Sequence, residues 1–302
     1  MLSGFIDTLP GAAAQGIIWG IMAIGVYITY RILDFADLTV DGSIGTGGAV
    51  FAMCSLGGMN VYLSLALAFL AGCVAGFATG IFHTIFGIPP ILAGILTQLA
   101  LYSVNLDIMG QANQALYSNN QSFLVSMLTP EKSIFVGFAF VLAIIAVLYW
   151  FFGTELGHSI RATGNNQNMA RANGINTNIN KVIALVISNG IVALSGALLA
   201  QFQGFSDINM GRGAIVIGLA AVIIGEVIFG KLFKNFALRL FAAVIGGIIY
   251  YIVISLVISL GLPANDLKLF SALVVALFLG IPYWKNKVAG KRIKKAGGAA
   301  NA

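Results

Sequence analysis

Apolar stretches long enough to cross a bilayer recur along the whole chain, and no other feature narrows its possible folds so far. About 20 consecutive apolar residues of helix cross the hydrocarbon core, and stretches of roughly that kind fall at 10–31, 43–58, 61–86, 88–104, 133–152, 181–202, 212–230, 239–260 and 268–284. Only 9% of the 302 residues are charged while 59% are hydrophobic, and mean hydropathy is +0.96. A soluble domain carries roughly 25% charged residues, so this chain cannot cover itself with polar surface. The stretches do not alternate as barrel strands would. The expectation is an all-α, polytopic transmembrane bundle of about eight to ten spans, forming one membrane domain over 1–302 with a short or broken second helix at 43–58.

The stretch Gly11 to Ile32 has no basic residue ahead of it and no cleavage site after it, which predicts a retained span rather than a signal peptide. Cys54 and Cys73 both lie within apolar stretches, where a thiol packs as a small hydrophobe. The formal charge of +6 is concentrated after the last stretch, at Lys285, Lys287, Lys291, Arg292, Lys294 and Lys295 in a basic tail at 285–302. That is an orientation signal and a contact for lipid headgroups, not a nucleic-acid surface. With the N-terminus outside, only Lys132, Arg212 and Lys268 of the 16 basic residues face outward. The positive-inside rule therefore predicts an outer N-terminus, an inner C-terminus, an external polar loop at 105–132 and a cytoplasmic loop at 153–180.

Gly72, Gly76 and Gly80 recur every fourth residue in the third stretch, as do Gly16 and Gly20 in the first. Small residues at that spacing let helix backbones approach closely, either within one subunit or between two. An echo links Phe35-Ala36-Asp37-Leu38, after the first stretch, with Phe205-Ser206-Asp207-Ile208, after the sixth. Each leads through a Gly-containing turn into a small-residue helix, and the two are reached from opposite sides. Inverted repeats with broken helices beside a pathway have that appearance.

No phosphate-binding loop is present, since Gly230-Lys231 continues with Leu232 and Gly290-Lys291 with Arg292. His83 and His158 are isolated and interfacial, without metal-ligand spacing. No catalytic residue and no metal site is expected. Asp34, Asp37, Asp41 and Glu226 lie where carboxylates are costly, and such groups line a wet pathway or find a partner. Asp37, Asp41, Ser43, Asp207 and Glu226 are the candidate pathway or gate residues. The alternatives are an interfacial turn in which Asp41 or Ser43 caps the following helix, and pairing of Glu226 with Lys231 or Arg239. In the 153–180 loop, Asn165 or Asn166 can cap a short helix that stops at Gly174, displaying Met169, Ala170, Arg161 and Arg171.

The order Leu156-Gly157, Ile160-Arg161-Ala162, Asn165, Met169-Ala170 and Gly174-Ile175-Asn176 resembles the coupling segment of branched-chain amino-acid-type ABC importer permeases. Asp37-Leu38-Thr39-Val40-Asp41-Gly42-Ser43 is similar to the form found in a subgroup related to aromatic amino-acid importers, and the resemblance runs from Ile17 to Gly280. Typical branched-chain permeases carry Asn-Phe-Ala-His-Gly where this chain has Asp34-Phe35-Ala36-Asp37-Leu38. The resemblance implies a transport subunit in a bacterial cytoplasmic membrane rather than an enzyme. It also implies a second permease copy as a homodimer, an ATPase dimer docked on Arg161, Asn165, Met169, Ala170, Arg171 and Gly174, and an external binding protein or lipoprotein. No cofactor is expected in this chain, ATP and magnesium belonging to the ATPase. The cargo implied is a small polar metabolite, an aromatic or branched-chain amino acid first. The competing expectation is an ion-coupled secondary transporter or channel that uses Asp37, Asp41 or Glu226.

Overall fold

The computed structural model describes residues 2–116 and 123–259, with a few positions between 269 and 280. Most of the expected last span at 268–284, and all of the basic tail, lie outside the described residues. The chain is helical almost throughout: α1 (Leu2–Tyr27) ending in a π-helical turn (Ile28–Ile32), α2 (Thr39–Leu56), α3 (Val61–Thr84), α4 (Pro90–Met109), β1 (Asn113–Ala115) and α5 (Pro130–Phe151). Then follow α6 (Glu155–Asn165), α7 (Gln167–Ala172), α8 (Thr177–Gln203), β2 (Phe205–Asp207), α9 (Ala214–Phe229) and α10 (Phe236–Ser259). Among the described residues six helices are long and apolar enough to cross a membrane: Thr8–Ile32, α3, α4, α5, α8 and α10. The second apolar stretch is the short α2, as its length predicts. At 16 residues α9 reaches about 24 Å, less than the hydrocarbon core of about 30 Å.

Local chemistry sets the ends of these elements. Pro90 and Pro130 open α4 and α5 at their first position, Asn60 caps α3, and Gly110 and Gly204 close α4 and α8 with positive φ. The π turn and Asp34, at φ 54, end α1.

Helices α1 and α8 form the interior. They run antiparallel, with the Ser195 hydroxyl donating to the Ile18 carbonyl at 2.7 Å and Ser188 to Gly25 at 2.8 Å. Such bonds contribute modestly in lipid, about 0.6 kcal/mol each, but they fix the register of the two helices. The glycine rows pack within the subunit. Gly16 and Gly20 face Ile248 and Val244 of α10, and Gly72 and Gly76 lie against the Asn189 and Leu185 carbonyls of α8. A methyl group at Gly76 would strike backbone that cannot swing aside. Gly76→Ala is therefore expected to destabilise the α3–α8 contact by about 1–3 kcal/mol. Val74→Ala, on the exposed face of the same helix, should leave the thermal unfolding midpoint in detergent unchanged. Equal midpoints for the two variants would refute the packing assignment.

The two short helices begin deep in the bundle. After Ile32, which lies beside Gly164, the chain turns back until Asp37 bonds Asn189 in the middle of α8. From there α2 runs toward the β ribbon, with Gly48 beside Ser206. The second short helix does the reverse. Its first turn meets Asp41, Gly218 packs on Met22 and Val26, and Glu226 reaches Arg31 near the face that carries α6 and α7. Thus α2 and α9 start at a similar depth and diverge to opposite faces, the arrangement of broken helices in an inverted repeat. The sequence echo has a geometric counterpart. Thr39 N–H donates to Asp37 at 2.9 Å and Asn209 N–H donates to Asp207 at 2.7 Å, so each aspartate makes the same two-residue turn.

Candidate functional site

Asp37 is buried, at 1% exposure. One carboxylate oxygen accepts from Thr39 N–H and the other from Asn189 Nδ2 at 2.7 Å. Ser43 donates its hydroxyl to Asn189 Oδ1 at 2.6 Å. Asp37 and Ser43 are thus joined through a residue of α8 that sequence reasoning missed, because an Asn within an apolar helix carries no local signature. Beside them the hydroxyls of Thr39, Thr79 and Thr97 stand in line at 2.7 and 2.8 Å, tying α2 to α3 and α4. The carboxylate thus faces protein groups in this conformation, and it holds the re-entrant stretch at mid-depth.

Asp41 sits in the first turn of α2 but caps a different helix. Its two oxygens accept from Gly213 N–H and Ile215 N–H at 2.8 Å each, across 172 and 174 residues. The start of α9 has no capping side chain of its own, and its unpaired N–H groups attract an anion. The capping alternative is correct in kind and different in target. Asp41 also borders a cavity of about 400 Å³ between α2, α4 and the segment leading into α9, where Gln98, Tyr102, Asn105 and Arg212 contribute. The cavity is where the diverging short helices leave space.

Asp207 does not join this group. It belongs to the antiparallel ribbon, opposite Asn113, whose side-chain amide donates to it at 3.3 Å. Glu226 pairs with Arg31 at 3.0 Å instead of the expected Lys231 or Arg239. Both partners are partly exposed, and the chain reversal after α1 is what brings Arg31 beside the end of α9. His83 is not isolated as expected. Lys181 Nζ lies 3.1 Å from its Nε2, and Nδ1 lies 2.8 Å from the Ile88 carbonyl. An ammonium donates only, so Nε2 accepts and Nδ1 carries the ring proton. Among the described residues no cluster of His, Cys, Asp and Glu could hold a metal ion.

At the far end, α6 and α7 form a compact helical pair. Asn166 rather than Asn165 caps α7, accepting from the N–H groups of Asn168 and Met169 at 3.0 Å each, while Asn165 ends α6. Gly174 takes φ 77 after α7, and Asn176 caps α8. Asn180 of α8 donates to Thr163 at 2.9 Å and Ser159 donates to Asn180 at 3.1 Å, so α6 is fastened to α8. Met169 stands 60% exposed, but Ala170 is 1% exposed and packs inward. The expectation that both present an apolar anchor is thus corrected: on a single-turn helix adjacent residues point about 100° apart. Arg161 is likewise engaged within the chain, its guanidinium 4.3 Å from the Phe236 ring centroid. Arg171 Nε donates to Thr177 at 2.9 Å and stays exposed.

Six helices long and apolar enough to cross a membrane, with short helices starting at mid-depth between them, define a multi-pass membrane protein. The profile of the family described as "Branched-chain amino acid transport system / permease component" matches residues 9–282, and the chain belongs to that family of ABC transporter permeases. It is 42% identical over 278 residues to the "Tyrosine transport system permease protein" of Clostridioides difficile, covering 92% of this chain and 91% of that one. It is 28% identical to the "Autoinducer 2 import system permease protein LsrC" of Yersinia pseudotuberculosis, over 73% of this chain and 62% of that one. The solved structure "PsaBC from Streptococcus pneumoniae in complex with Fab" shares the fold, with a TM-score of 0.52 at 16% identity, covering 93% of this chain and 95% of that one. Family membership decides against the stand-alone ion-coupled transporter.

Proposed function

We propose that the chain is the membrane subunit of an ATP-driven importer for an amino acid, with aromatic amino acids as the first candidates. The observation that carries this reading is the 42% identity to a tyrosine transport permease across 92% of the chain. In this reading two copies enclose the pathway, and an external binding protein delivers cargo on the side of residues 105–132. An ATPase dimer, which holds ATP and magnesium, docks on α7. The protein sits in a bacterial cytoplasmic membrane with its N-terminus outside and its C-terminus inside, as the basic residues predict.

The test is uptake into proteoliposomes that contain the full complex, with its ATPase and external binding protein. Labelled tyrosine, phenylalanine, leucine and a nucleoside serve as cargoes. ATP-dependent uptake of tyrosine or phenylalanine is the expected result. Uptake of the nucleoside alone would overturn the amino-acid reading.

A further inference from the structure

Three polar groups border the cavity between α2 and α4. Arg212 borders it with no carboxylate partner among the described residues, its guanidinium 5.9 Å from the Tyr102 ring centroid. Asn105, 1% exposed and in the cavity wall, has a buried Oδ1 that accepts no hydrogen bond among the described residues. Asp41 faces three backbone N–H groups at the start of α9, those of Gly213, Ala214 and Ile215, and a carboxylate has about four acceptor positions, which leaves one for a ligand. A buried acceptor without a donor is costly in a folded protein. That oxygen is closed to the cavity in this conformation, so the groups offered to a ligand are the Arg212 guanidinium and the Asp41 carboxylate. Gln98, Tyr102 and Asn105 follow at i, i+4 and i+7 along α4 and share one helical face, and the cavity volume of about 400 Å³ suits a small metabolite.

We propose that this cavity is a binding site for a zwitterionic α-amino acid, whose carboxylate pairs with Arg212, whose ammonium donates to Asp41, and whose side chain lies against Tyr102. Opposite charges on one cavity wall select a ligand that carries both. A sugar would leave the guanidinium without an anion, and a simple anion would face the Asp41 carboxylate. Planar guanidinium matches carboxylate in a two-point contact, and the Tyr102 ring gives the ligand side chain an apolar surface. The inference rests on the reading of the chain as an amino-acid permease and adds to it a site within the membrane subunit, separate from the delivering protein.

The experiment measures binding of labelled L-tyrosine to the full-length permease with its ATPase in nanodiscs, without the binding protein. Unlabelled tyramine, which lacks the carboxylate, and 4-hydroxyphenylpropionate, which lacks the ammonium, compete in separate arms. Tyrosine should compete at least about tenfold better than either analogue, because each leaves one charged group of the site unpaired. Arg212→Gln should weaken tyrosine binding by about tenfold or more while tyramine competition stays unchanged, and Arg212→Lys should recover part of the loss. Equal competition by all three compounds, or no detectable tyrosine binding, would overturn the site. The analogue comparison on the unaltered protein decides the matter even if Arg212→Gln fails to assemble. If proteoliposome uptake of tyrosine persists with Arg212→Gln at an unchanged KM, this site fails while the transport reading stands. If no amino acid is taken up at all, the transport reading itself fails.

Discussion

Met169→Asp is expected to strip the ATPase from the purified complex while the membrane subunit remains folded. The side chain is 60% exposed on a helix of six residues whose start and stop are fixed by Asn166 and Gly174. Nothing in the subunit needs it, so a carboxylate there costs little stability. In a complex the same atoms would enter an apolar recess, where a buried unpaired charge is strongly unfavourable and anchors contribute about 2–4 kcal/mol each. Co-purification should fall by about 30-fold or more, and substrate-stimulated ATP hydrolysis with it. Arg171→Ala should do much less, because its Nε already binds Thr177 and rim charges act mainly on encounter. Ala170→Asp is a different experiment, since Ala170 is packed inside and its replacement would damage the helical pair itself. Intact co-purification of Met169→Asp, with an unchanged unfolding midpoint, would remove α7 as the docking element.

The second large effect is expected at Asp37 and Asn189. Asn189→Asp sets two carboxylates at the 2.7 Å contact, and Asp37→Asn leaves one acceptor oxygen for two donors, Thr39 N–H and Asn189 Nδ2. A hydrogen bond to a buried charged group contributes about 1.5–3 kcal/mol. The exchanged pair, Asp37→Asn with Asn189→Asp, restores the pattern. The new Asn at 37 can accept from Thr39 N–H and donate to the new Asp at 189, which also accepts from Ser43. Its only loss is the 3.0 Å bond from position 189 to the Leu185 carbonyl. In a double-mutant cycle read by thermal unfolding, the pair should therefore recover most of the stability lost by Asn189→Asp alone. If the two changes were simply additive, Asp37 would not be pinned by Asn189, and a role open to the pathway would regain force.

How much of this was legible before the structure follows the range of each interaction. The caps at Asn166 and Asn176 and the stop at Gly174 depend on atoms within three or four residues, so residue type in order announces them. Asn165 and Asn166 are both competent caps, and only the backbone path chose the second. The glycine rows announced close packing because a missing Cβ matters wherever the partner lies, yet the partners α8 and α10 had to be observed. The repeated Phe-small-Asp pattern marked two re-entrant turns, and both aspartates bond two residues ahead. Their fates then diverge, since one is buried on α8 and the other lies on an open ribbon.

By itself the sequence determined what hydropathy and local hydrogen bonding encode: a helical membrane bundle, the six long spans seen among the described residues, one visibly short second helix, and the capped short helices between α5 and α8, whereas the expected span at 212–230 is the short α9. Only the tertiary structure decided that Asp41 caps α9 across 172 residues, that Glu226 answers Arg31, and that Asn105 and Arg212 share a cavity. The physical reason is common to all three. A carboxylate in a low-dielectric interior must find a donor or a cation, so sequence shows that the demand exists. Which group meets it depends on how helices far apart in the chain cross, and no local period carries that information.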